Sequence, residues 1–169
     1  LWLVSLVSAA PLYAADVPAN TPLAPQQVFR YNNHSDPGTL DPQKVEENTA
    51  AQIVLDLFEG LVWMDGEGQV QPAQAERWEI LDGGKRYIFH LRSGLQWSDG
   101  QPLTAEDFVL GWQRAVDPKT ASPFAGYLAQ AHINNAAAIV AGKADVTSLG
   151  VKAMDDRTLE VTLEQPVPW

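Results

Sequence analysis

Three adjacent carboxylate pairs, Glu46-Glu47, Glu106-Asp107 and Asp155-Asp156, occur in a chain that also carries six tryptophans. Paired carboxylates can cleave glycosidic bonds, one as acid and the other as base or nucleophile, and tryptophan rings offer stacking platforms for sugars. An exported carbohydrate-active hydrolase is therefore one reading. Two of the pairs have simpler duties. Glu106-Asp107 falls in the first turn of a helix, where the dipole favours negative charge, and Asp155-Asp156 falls at a hairpin turn. Trp78 and Trp112 lie on apolar faces and are expected in the core, whereas Trp97 fits either role. The histidines, His34, His90 and His132, lack the i,i+3 or i,i+4 spacing of a helical metal site, and His90 is expected on the surface, opposite the apolar face of its strand. Asp65-Gly66-Glu67-Gly68-Gln69 has the composition of a calcium loop, but Val70 stands where an EF-hand needs glycine, so a solvated hairpin turn is expected. There is no cysteine, which excludes disulfides, thiolate metal sites and a cysteine nucleophile. No G-x-S-x-G elbow and no glycine-rich phosphate loop is present. No cofactor is expected.

The best-specified element spans residues 97–118, W-S-D-G-Q-P-L-T-A-E-D-F-V-L-G-W-Q-R-A-V-D-P. Ser98, Asp99 and Gly100 supply a turn, and Thr104 is a natural N-cap. Leu103 and Phe108 are placed to form a hydrophobic staple. Phe108, Val109, Trp112, Ala115 and Val116 share one helical face, and Asp117-Pro118 ends the helix. Around this helix the pattern predicts a strand over 28–32 and a helix over 48–58. That second helix has Ile53, Val54, Leu57 and Phe58 on one face and is ended by Gly60. A hairpin over 76–92 sets Trp78 and Ile80 against Tyr87, Phe89 and Leu91, about Asp82-Gly83-Gly84. A short helix over 134–141 is capped by asparagine in front and Gly142 behind. A closing hairpin places Val151, Ala153, Leu159, Val161 and Leu163 on one face. Strands and helices are mixed without regular βαβ units, which is an α+β pattern.

Composition narrows the class. Apolar residues make up 46% of the 169, enough for a core, and the formal net charge is −10. An acidic surface argues against nucleic acid and anionic membranes as partners. Residues 1–14 read as a secretory signal peptide lacking its start, with cleavage expected after Ala14. Residues 15–27, rich in proline and alanine, read as a flexible mature terminus. The absence of cysteine also excludes a lipidated N-terminus, so a free periplasmic protein of Gram-negative type is expected.

The run W-S-D-G-x-P-L-T-A-E-D-F-V-x-x-W-Q-R-x-V-D-P resembles the signature of periplasmic peptide-binding proteins, the capture subunits of ABC importers. Thr39-Leu40-Asp41-Pro42 and Asp56-Leu57-Phe58-Glu59-Gly60-Leu61 extend the resemblance, which covers residues 28–169. It is most similar to the oligopeptide-binding and murein-peptide-binding members, and Asn134-Asn135-Ala136 with Gly142-Lys143-Ala144 leans toward the latter. The resemblance implies an α+β fragment of a two-lobed protein, incomplete at its C-terminus, with residues 28–57 opening the larger lobe and 58–169 forming the smaller one. It implies a peptide ligand, permease subunits as partners, a monomeric state and no covalent chemistry. It also places Glu46, Glu47 and Asn48 beside the ligand, with backbone available for β-like pairing, although these residues equally suit an ordinary polar loop before a helix. Phe124 stands where oligopeptide binders carry a tyrosine that helps hold the ligand's amino end; its ring can pack on a ligand, but it has no hydroxyl. A same-fold binder of nickel, haem or a disaccharide is a further reading.

Overall fold

The computed structural model describes residues 30–167 together with Pro22, Pro25, Gln26 and Val28. The expected signal peptide, most of the expected flexible terminus, Phe29 and the closing Pro168-Trp169 lie outside the described residues. Val28 and residues 30–32 are in neither helix nor strand, contrary to expectation. A strand needs a paired neighbour, and no described strand pairs with this segment.

One compact unit begins at Asn33. In chain order its elements are α1 (Asn48–Leu57), β1 (Val62–Met64), β2 (Val70–Pro72), β3 (Ala75–Leu81), β4 (Arg86–Leu91), α2 (Ala105–Val116), α3 (Ala125–Gln130), α4 (Ala136–Val140), a 3₁₀ turn (Val146–Ser148), β5 (Val151–Asp155) and β6 (Thr158–Thr162). The architecture is α+β, a partial piece of a larger fold with short helices and antiparallel sheets. The two expected hairpins merge into one antiparallel sheet of order β3-β4-β6-β5. Its central register sets Tyr87 opposite Val161 and Phe89 opposite Leu159. Because side chains alternate along each strand, these residues share a face with Trp78, Val151 and Ala153.

α2 packs across the β5–β6 side of that face. Val109 and Val116 are buried, and Leu91, Val116, Ile139 and Leu159 are the largest fully buried side chains. Full burial of each such side chain contributes about 1.5–3 kcal/mol. The β3–β4 side receives less cover. Trp78 is only half-buried and Ile80 is 57% exposed, so the expectation that Trp78 is core fails for want of a covering element. Trp112 is likewise half-buried, packed against the core rather than inside it.

α2 starts and stops where its sequence predicts, but its cap differs in direction. Thr104 and Asp107 form a capping box. The Asp107 carboxylate accepts from the Thr104 N–H at 2.7 Å and from its hydroxyl at 3.1 Å. Asp107 therefore serves as a structural anion. Ahead of the helix, Asp99 accepts from the Gln101 N–H at 2.9 Å, and Gly100 turns the chain at φ +85°.

Asn135 occupies the N-cap position of α4 as expected, but its side chain makes no cap bond. The Asn135 side chain donates to Ser148 O at 2.8 Å, and Asn134 donates to Thr162 Oγ1 at 3.1 Å, so both amides tie the helix to its neighbours. Gly142 ends α4 at φ +68° as expected. The helix α3 was not foreseen, since Ala125-Gly126-Tyr127 gives no amphipathic period.

The arm of α1, β1 and β2 is more open. Ala50 is the buried residue of α1, while Leu57 and Phe58 are 60% and 44% exposed. The apolar face expected from Ile53, Val54, Leu57 and Phe58 exists, but among the described residues nothing covers Leu57 and Phe58. The helix also ends before Gly60, as Phe58 turns extended at φ −126°.

Candidate ligand-binding site

The segment leading to α1 is held from both ends. Asp41 makes a tight turn: its carboxylate accepts from the Gln43 N–H at 3.1 Å, and its carbonyl accepts from the Lys44 N–H at 2.9 Å. Val45 is then buried, and Glu46, Glu47 and Asn48 emerge exposed. Glu47 occupies the N-cap position of α1 with extended backbone, but its side chain makes no cap bond. Its carboxylate lies against Gly38. Among the described residues, the backbone of Glu46 and the N–H of Glu47 have no hydrogen-bonding partner in the chain. An extended ligand could therefore pair with this backbone.

Phe124 sits at the front of α3, 36% exposed, with its N–H donating to Ser122 Oγ at 3.1 Å. Its ring lies 6.1 Å from that of Tyr127, tilted by 43°, and Tyr127 is 65% exposed. The two rings form a small aromatic surface with one phenolic hydroxyl. Tyr127 was missed from sequence; its spacing of three from Phe124 was the available signal, but α3 was not foreseen. No described hydrogen bond, ion pair or ring contact joins Phe124 to Glu46, Glu47 or Asn48.

Sequence reasoning also missed a clasp that joins the two motifs. Arg114, on the last turn of α2, donates to both Asp41 carboxylate oxygens, at 2.9 and 2.6 Å, and to Gln43 Oε1 at 2.6 Å. Gln43 donates in turn to Gly111 O at 2.6 Å. The guanidinium holds the Asp41 carboxyl at about 2, well below its ordinary 3.8. Asp41 and Arg114 are 73 residues apart, so no local spacing announces the pair.

The other candidate chemistry is absorbed by structure. Asp155 is pulled below its ordinary value first by the Arg157 N–H, which it accepts at 2.8 Å. Asp156 offers its carbonyl to the Ala105 N–H. Asp65 accepts from the N–H groups of Glu67 and Gln69, as a hairpin turn requires. His90 lies on the outer sheet face, 2.7 Å from Glu79. Among the described residues no group of three metal-ligating side chains gathers, and no helix is long and apolar enough to cross a membrane. An open depression of about 620 Å³ is lined by residues 55–60 and 62–64, and holds none of the four expected ligand-facing residues.

Residues 69–169 match the model of "Bacterial extracellular solute-binding proteins, family 5 Middle". The chain belongs to this family. Family 5 is one of solute-binding proteins. The probable deoxycholate-binding periplasmic protein YgiS of Escherichia coli K12 is 99% identical over all of this chain and 32% of its own length. The periplasmic oligopeptide-binding protein OppA of Salmonella typhimurium is 51% identical over 99% of this chain and 31% of its own. The chain thus spans about a third of the curated relatives it matches. Among solved structures, the murein tripeptide binding protein MppA of Escherichia coli superposes with TM-score 0.75 at 47% identity, covering 79% of this chain and 26% of that one. OppA of Haemophilus influenzae, in complex with the peptide RPPGFSPFR, gives 0.77 at 45% identity, covering 82% and 27%.

Proposed function

We propose that this chain is a segment of a periplasmic solute-binding protein that captures its ligand between two lobes and hands it to the permease subunits of an ABC importer. Residues 58–169 would form the smaller lobe and residues 28–57 the opening of the larger one. Residues 1–14 would be a cleaved signal peptide, and the protein would act as a monomer without catalysis or cofactor. Family membership carries this reading. The unpaired backbone of Glu46 and N–H of Glu47, with Asn48 beside them, support one wall of the site, and the exposed ring of Phe124 supports another.

Two ligand classes remain in play. A peptide is supported by the oligopeptide-binding relatives, and the Glu46–Glu47 backbone suits the constant main chain that such a site must recognise. An amphipathic steroid carboxylate is supported by the 99% identity to a probable deoxycholate-binding protein, and by Phe124. A ring without a hydroxyl suits an apolar ligand body better than an ammonium group. The second observation weighs more for this chain, because the identity is far higher. The lean toward murein peptides finds no added support, since the murein-peptide relative is 46% identical against 51% and 50% for oligopeptide binders.

Calorimetry on the full-length protein tests both, with deoxycholate, a mixed tripeptide library and a murein tripeptide as titrants. Saturable heat with deoxycholate alone would select the steroid reading, and heat with peptides alone the other. Heat with none of them would remove both ligand assignments. For export, expression with the complete native leader should give soluble periplasmic protein beginning near Ala15. An N-terminus still carrying residues 1–14 would defeat the signal-peptide reading.

A further inference from the structure

The Asp41–Arg114–Gln43 clasp ties the segment that leads to Glu46 to the helix that leads to Phe124. Asp41 and Gln43 precede Glu46 by five and three residues, with buried Val45 between them. Arg114 stands on the last turn of α2, the helix whose exit leads through Asp117-Pro118 to Phe124. The guanidinium makes three hydrogen bonds to this segment, and Gln43 returns one to the backbone of α2. A bidentate fork fixes angle as well as distance, which a single-point lysine cannot do. Thr39 adds a further restraint, its hydroxyl accepting from the Asp41 N–H at 3.1 Å.

We infer that Arg114 is a positioning residue for ligand capture: it fixes residues 41–45 on α2 and thereby holds the free backbone of Glu46 and the free N–H of Glu47 in place for a ligand that also meets Phe124. The inference rests on the reading that these residues face the ligand. Arg114 itself need not touch ligand. Its work is to remove, before binding, the freedom the segment would otherwise lose on binding. A loosened segment would still exist but would bind less tightly.

The test uses the full-length protein, with deoxycholate and the mixed tripeptide library as probes. Arg114→Met keeps the stem and removes the fork; it should lower the thermal midpoint modestly, because the pair is partly exposed, and weaken binding about tenfold when measured well below that midpoint. Arg114→Lys should fall between the two, and Asp41→Asn combined with Arg114→Met should lose no more than the worse single variant. Hydrogen exchange, which needs no ligand, should quicken in Arg114→Met at the bonded amides of Gln43, Lys44 and Ala51 and stay unchanged in β4 and β6. Unchanged exchange there, or affinity within twofold of the parent, would overturn the inference. Glu46→Pro, which removes a backbone donor, and Phe124→Ala separate it from the reading beneath. Should these leave affinity intact while the parent binds, the ligand-facing assignment fails and the inference falls with it. Should they weaken binding while Arg114→Met does not, only the positioning role is lost.

Discussion

The β3–β6 sheet with α2 and the arm of α1, β1 and β2 treat equally clear apolar patterns in opposite ways. In the sheet, Leu91, Leu159 and Val161 alternate in sequence and are buried in the structure. In the arm, Leu57, Phe58, Trp63 and Met64 are exposed by 60%, 44%, 54% and 67%. The difference lies in what stands opposite. The sheet face finds α2 within the same unit, while the arm reaches the body through its connections: Leu61 is buried in the core with Val62 against it, and its carbonyl accepts from the N–H groups of Ala73 and Ala75. Periodicity thus identifies an apolar face but cannot supply its cover. Large apolar side chains left this exposed and close together in sequence suit a place where something else packs.

The sharpest way to break this contrast is a pair of truncations in the 169-residue chain. Leu159→Ala removes a fully buried side chain and should cost about 2–5 kcal/mol in urea unfolding, whereas Leu57→Ala should stay within about 0.5 kcal/mol. Equal costs would show that the arm is covered after all. A smaller effect is expected from Gly150→Ala. A β-carbon there would come within 2.6 Å of Asn134 Cβ and 2.7 Å of Thr162 O, so overpacking should cost about 1–3 kcal/mol. A neutral melt would mean that the body gives way more easily than its packing implies. Thr104→Ala should cost about 1 kcal/mol by removing half of the capping box, and Asp107→Ala should match or exceed it. If only the threonine mattered, the carboxylate would not be the main cap.

The tether between arm and body gives the subtlest test. Asp41 titrates at about 2 when folded, below its ordinary 3.8. Its ionised form therefore favours the folded chain above pH 3.8, and that contribution fades as pH falls from 3.8 through about 2. Asp41→Asn removes the titrating group, so its stability should decline less steeply over this interval. Parallel acid slopes for parent and variant would argue that the clasp is not formed in solution.

Local signals carried much of this fold. α2 was legible from its staple positions, its capping residues and Asp117-Pro118, and both hairpins from alternation about turn residues. What escaped depended on distance or on missing cover. The pairing of β4 with β6 joins two hairpins that each look complete alone. Trp78 looked like core because its face is apolar, although the helix that would cover it lies over β5 and β6. Of the candidate site, Glu46, Glu47, Asn48 and Phe124 came from the resemblance rather than from chemistry. The fork from Arg114 to Asp41 was invisible because its partners lie in separate motifs, and neither residue is unusual in its own setting.

The β4–β6 pairing also sets an order in time. Arg86 and Glu160 meet at a sequence separation of 74, and β4 gains its second neighbour only when β6 arrives. Contacts of such separation close slowly, because the connecting chain must be ordered before they form. During synthesis the first hairpin must wait with an open edge until Thr158–Thr162 has been made. A chain that completes its sheet so late stays unfolded for longer as it emerges, and its first hairpin is open to wrong partners for all of that time.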